Sequence, residues 1–119
     1  MEESVLLSVK QALFTYRLAQ LIVWITEEAK LLVTMREGYV GDTDAADGDH
    51  DGPHKRGGLH YMGLAVDLML YRKPDGVPLT DGGAPEWRAV GEKWESMGGT
   101  WGGRFGDANH FSWAHAGKK

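Results

Sequence analysis

Apolar residues recur through the first segment of the chain at helical spacing. Leu7, Phe14, Leu18, Leu21, Ile22 and Ile25 fall on one side of a helix, which is the side a helix buries. The spacing predicts a helix over Ser4–Lys30, with Lys10 and Arg17 away from the stripe. Its polar face mixes those cations with Gln11 and Gln20 and forms no basic band, so packing on a core is favoured over lying on a membrane. The period then changes. Leu31–Tyr39 reads as a strand, with β-branched Val33 and Thr34 and a closing glycine at Gly38.

Leu64–Tyr71 alternates strictly, placing Leu64, Val66, Leu68 and Leu70 on one face and Ala65, Asp67, Met69 and Tyr71 on the other. An acid thus stands on a strand, turned away from an aliphatic row. Pro85 can open a second helix, in which Trp87, Val90, Trp94 and Met97 follow at spacings of three, four and three before Gly98 and Gly99 end it. His110–Trp113 reads as a last short strand, with His110 and Ser112 on one side and Phe111 and Trp113 on the other.

Gly41–Gly58, rich in Gly and Asp, has no apolar period and is expected to be a long loop, a feature more often functional than idle in a compact domain. Arg72–Ala84 contains Pro74-Asp75-Gly76 and Asp81-Gly82-Gly83 and predicts turns at the surface. Trp101–Gly106 is a glycine-rich approach to the last strand, and the tail from Ala116 is expected to fray. No repeat and no linker divides the 119 residues, so one domain over 1–119 is expected.

Composition narrows the chemistry. A net charge of -4 and a pI near 5.7 argue against a protein devoted to nucleic-acid phosphates. With no cysteine there is neither disulfide nor thiolate site, and any metal must be held by His, Asp or Glu. Glu2 and Glu3 open the chain and Lys10, Gln11, Arg17 and Gln20 interrupt its apolar positions, so no signal peptide is expected. The longest apolar run, Leu21–Ile25, is far too short to span a bilayer. A monomer, made and kept at least initially in a cytoplasm, is the expectation.

A hydrolytic zinc site needs three protein ligands and one open position, and two histidines with a carboxylate suit this borderline ion. His60, Asp67 and His110 fit that inventory, two of them close in sequence and the third arriving from a distant strand. Attack on an amide also needs a group to accept a proton and pass it to the leaving amine, and Asp107 stands three residues before His110. His50 and His54 remain alternative ligands, whereas His115 reads as tail. Asp42, Asp44, Asp47, Asp49 and Asp51 alternate with glycines, which makes this loop a candidate for Ca2+ as well as a solvated acidic loop. It lacks the glutamate that ends an EF-hand. Trp101 and Trp113 could each wall a cleft or plug the core.

The segment from Gly58 to Asp67 resembles the S-x-H-x-x-G-x-A-x-D signature of the zinc D-alanyl-D-alanine carboxypeptidase and L-alanyl-D-glutamate endopeptidase family, which includes many phage endolysins. His60, Gly63, Ala65 and Asp67 match it. Trp101, Gly102, Gly103, Phe105, Asp107, His110 and Phe111 resemble the same family's W-G-G-x-F-x-D-x-x-H-F pattern, and Glu37-Gly38-Tyr39 resembles a segment that ends an early strand there. The likeness runs from about Leu31 to Trp113. It implies an α+β fold, a small antiparallel sheet with flanking helices and a zinc site on the sheet. His60, Asp67 and His110 would be the zinc ligands and Asp107 the catalytic acid-base residue. The chain departs from the pattern at Gly58, where the family has serine, and at Val40, where it has arginine. Arg36, Arg56 and Arg104 are candidate replacements for holding a substrate carboxylate, with Trp101 beside them.

The expected function is a zinc peptidase that cuts an amide in the peptide stem of peptidoglycan, as a phage or prophage endolysin does. The expected bond is L-alanyl-D-glutamate, because aspartate rather than glutamate stands at position 107. The alternatives are a D-alanyl-D-alanine carboxypeptidase, a non-catalytic zinc-stabilised wall-binding module, and a metal-free structural domain. No nucleic-acid partner and no membrane insertion are expected, and the resemblance implies a place in the host bacterial cytoplasm before release to the cell wall.

Overall fold

The structure is a computed structural model, and it describes residues 3–37, 59 and 63–114. The fold is α+β, as the resemblance implied. Helix α1 spans Glu3–Glu27 and strand β1 Leu32–Glu37. Strand β2 covers Ala65–Tyr71 and helix α2 Pro85–Ser96. Strand β3 is Thr100–Trp101, a 3-10 turn follows over Gly102–Phe105, and strand β4 is His110–Ser112. The strands form one antiparallel sheet in the order β1-β2-β4-β3.

Helix α1 stops three residues before the predicted end. The Leu31 amide reaches back to Ile25 O at 3.0 Å, Lys30 takes a left-handed φ of 58°, and its ammonium donates to Glu27 O at 3.0 Å. This satisfies carbonyls that a helix end leaves open. Strand β3 begins at Thr100, just ahead of the stretch read only as a glycine-rich approach, and takes in its Trp101. It is too short to show a period, and it exists because Thr100 and Trp101 pair with Ser112 and Phe111.

One face of the sheet carries the core. Val66, Leu68, Leu70 and Phe111 point towards Phe14, Leu18, Leu21 and Ile25 of α1 and Trp87, Val90 and Trp94 of α2, and all are buried. Trp94 is the hub. Its ring meets Phe14 at 5.8 Å, Trp113 at 5.7 Å and Phe111 at 6.5 Å, edge-on in each case, an arrangement favoured by the ring quadrupoles. Its indole N–H donates to Ser112 O at 3.0 Å, so the largest core residue also clamps β4. The turns over 72–84 fold back as a surface excursion, bridged Tyr71 to Pro78 and pinned where Trp87 Nε1 donates to Leu79 O at 2.9 Å. No helix among the described residues is long and apolar enough to cross a membrane.

Candidate metal centre

The opposite face of the sheet carries the chemistry. Asp67 on β2 and His110 on β4 are direct partners in the antiparallel register, so their side chains emerge from the same face. His110 Nδ1 lies 3.9 Å from Asp67 Oδ1; His110 is buried and Asp67 half-buried. On the other side of β2 the backbone of Glu37 is registered opposite Asp67, after a bulge that inserts Arg36.

A tetrahedral ion with two N or O donors at ordinary bond lengths sets them about 3.3 Å apart. The Asp67–His110 spacing is slightly wider, within reach of a small side-chain rotation, and an imidazole beside a carboxylate is a donor set that suits zinc. The two residues fit the ion. Among the described residues they are a pair and not a group of three. His60, the third expected ligand, lies outside the described residues, as do His50, His54, Arg56, Gly58, Val40, His115 and the Asp42–Asp51 loop considered for Ca2+. The flanks of position 60 are anchored, however. Leu59 is buried and its carbonyl accepts from Leu64 N at 2.9 Å, while Trp113 N donates to Leu64 O at 2.9 Å. Gly63, the motif glycine, has φ of 67°, which a side chain would strain.

Asp107 sits one turn from His110. Its carbonyl accepts from the His110 amide at 3.1 Å and its amide donates to Gly102 O at 2.9 Å, so the backbone of this exposed aspartate is fixed one turn before His110. Gly102 is required here. A Cβ on it would stand 2.3 Å from Asp107 O and 2.6 Å from His110 Cβ, closer than atoms pack. Asp107 also borders a groove of about 340 Å3, lined among others by Met69, Leu79, Thr80, Trp87 and Asn109.

The remaining candidates are placed differently. Trp101 is a core plug and not a cleft wall. It is buried between Gly91 and Gly103, where a Cβ would come within 2.0 Å and 2.2 Å of its ring, and its N–H donates to Ala108 O at 2.7 Å. It therefore supports the 107–110 turn from beneath. Trp113 packs against Trp94 and is likewise part of the core's edge. Arg104 lies over the Trp101 ring at 5.3 Å and forks onto Glu95 at 3.0 Å and 2.8 Å, with Glu92 at 3.8 Å. That hydrogen-bonded pairing holds the Glu95 carboxyl below its usual range and raises Arg104. Arg36 is exposed on β1, at the bulge beside Glu37.

Two features had no functional role in the sequence reading. Phe105 is an exposed ring 6.0 Å from the His110 ring, and its motif position was the available signal. The groove beside Asp107 had none, because Leu79 and Thr80 reach it only through the fold of the 72–84 excursion. Residues 52–113 match the family described as D-alanyl-D-alanine carboxypeptidase, a span that takes in Asp67, Asp107 and His110. No curated protein matches the chain.

Proposed function

The chain belongs to the D-alanyl-D-alanine carboxypeptidase family, peptidases of peptidoglycan that are generally zinc-dependent, and from that premise we propose that it hydrolyses the L-alanyl-D-glutamate amide of the peptide stem. The observation that carries this reading is the facing of Asp67 and His110 across β2 and β4, with Asp107 one backbone turn away. His60, Asp67 and His110 would hold the zinc.

Zinc, when bound, would polarise the scissile carbonyl and acidify a water. The chain's own residues do the rest. Asp107, exposed at the mouth of β4, takes the proton of the attacking water and returns it to the departing amine. The backbone hydrogen bonds of the Asp107–His110 turn fix the main chain from which that carboxylate projects. The groove beyond Asp107 receives stem residues on one side of the cleaved bond.

The endopeptidase is favoured over the carboxypeptidase by aspartate rather than glutamate at position 107, as in the endolysin-type members that the chain resembles. Of the cations considered for a terminal carboxylate, Arg104 is forked onto Glu95 and Arg36 is exposed on β1, while Arg56 lies outside the described residues. The carboxypeptidase reading is favoured instead by the description of the matching family. A phage or prophage lysis role belongs to the same proposal. Mass spectrometry of purified peptidoglycan after digestion, with and without chelator, separates the readings. New alanyl carboxylates and glutamyl amines that vanish with chelator are expected. Release of free D-alanine selects the carboxypeptidase, and zinc and wall binding without any new amino terminus selects the binding module.

A further inference from the structure

Helix α1 carries a second apolar stripe. Leu6, Val9, Leu13, Tyr16 and Val23 are 43%, 58%, 38%, 57% and 52% exposed, and with Gln20 they follow at spacings of three, four, three, four and three. That is a heptad seam, with Leu6, Leu13 and Gln20 in one column and Val9, Tyr16 and Val23 in the other. It lies about 140° round the helix from the stripe of Phe14, Leu18, Leu21 and Ile25, which is packed on the core. The exposed side chains amount to on the order of 450 Å2, the size of the largest patches on ordinary monomers, which are often functional.

A heptad seam is shaped to receive another helix. Among the described residues no second helix is free to fill it. Helix α2 spends its apolar side on the core. Residues 38–58 carry Tyr39, Val40, Ala45, Ala46 and Pro53 among glycines and charged or polar residues, and 115–119 end in Gly and Lys.

We propose that α1 pairs with α1 of a second copy of this chain, parallel and in register, as a two-stranded coiled coil with the two domains on its outer sides. Gln20 sets the direction. In the parallel pair it meets Gln20 of the second copy, whereas an antiparallel pair sets it against Val9, leaving a polar amide on an apolar group. Gln20 Oε1 accepts from Arg17 at 3.0 Å, which leaves its amide NH2 to donate across the seam. An antiparallel pair would also bring Glu27 and Glu28 near Glu3 of the second copy, acid against acid. Ala12 and Ala19 flank the seam and leave space for the Arg17 stem in the parallel pair. The pair covers roughly 900 Å2, just under the ~1,000 Å2 of a specific interface, which is the size of a weak, reversible contact. This pairing departs from the monomer expected from the sequence.

The full chain is the material for the test. Sedimentation velocity across the micromolar range should show the mass rising towards two copies, and Leu13→Glu should weaken pairing at least ten-fold. That variant should keep the helix content of the parent by circular dichroism at a concentration where the parent is monomeric, since Leu13 is more than a third exposed in the single copy. Because the chain has no cysteine, Val9→Cys should cross-link two copies under mild oxidation. A single-copy mass throughout, or Leu13→Glu that pairs as well as the parent, overturns the proposal. Failure of Val9→Cys to cross-link while pairing persists overturns the parallel register. Binding of the parent to vesicles of anionic lipid, without self-association, would make a membrane surface the occupant of the seam instead.

Discussion

Two glycine-rich stretches read alike in the sequence and behave differently in the fold. In the excursion over 72–84, Gly76 has φ of 74° and nothing within 4 Å of where its Cβ would be. The glycine there serves the turn. In the stretch from Trp101 to Gly106, Gly102 and Gly103 serve close approach, to Asp107 and His110 in one case and to Trp101 in the other. The first stretch hangs on a bridge, the Trp87–Leu79 hydrogen bond and an Arg72–Glu86 ion pair. The second is walled by α2, β4 and a buried indole. Glycine content therefore marks mobility in neither case by itself. Only the packed stretch leads into candidate site residues, as expected where a reacting group must be held to a fraction of an ångström.

The sharpest break of this contrast comes from the carboxylate that the packed stretch positions. Asp107→Asn should lower peptidoglycan hydrolysis by about 10^2- to 10^4-fold, with bound zinc and melting temperature unchanged. Full activity in that variant would remove Asp107 from the chemistry. Gly102→Ala should come next. Its methyl must displace the Asp107 carbonyl or His110 Cβ, costing about 1–3 kcal/mol in denaturant melts and weakening zinc retention against a competing chelator. Unaltered zinc retention would mean that this glycine does not set the ligand geometry.

Gly76→Ala is the matched control in the open stretch. It should cost roughly 1 kcal/mol, for backbone strain alone, and leave zinc and hydrolysis untouched. The smallest effect concerns Arg104 and Glu95. The Arg104 hydrogen bond lowers the Glu95 pKa below 4.5, so its contribution to stability is present above that value and is lost as the pH falls through the folded-state pKa. A pH series of melts should show Glu95→Gln differing from the parent near neutrality and converging with it in acid. Convergence at high pH instead would reverse the assigned sign.

Legibility in the sequence follows the range of the interaction. The alternation of Leu64–Tyr71 places Asp67 away from the aliphatic row, and the structure has it on the half-exposed face. Pro85 and the Trp87, Val90, Trp94 spacing locate α2 and its buried side. By contrast β3 carries no local signal, because two residues show no period and their pairing with β4 is a tertiary matter. Trp101 is ambiguous in sequence for the same reason. Whether a glycine-flanked indole lies on a surface or between two backbone segments depends on Gly91, ten residues away on another element. Arg104 reads as a cation open to substrate until α2 presents Glu95 to it. The second stripe of α1 is written in the sequence, but its exposure is not, since the first stripe alone suffices to bury the helix.

By itself the sequence determined the chemistry available to this protein and the side of each element on which it stands. Those follow from local periodicity and from the absence of cysteine, which leaves His, Asp and Glu as metal donors. Only the tertiary structure decided that Asp67 faces His110 across 3.9 Å, that Asp107 is one turn from that pair, and that Trp101 supports the turn from below. The reason is physical. A side chain's face is set by its own backbone, but its partner is set by strand register and by packing between residues far apart in the chain.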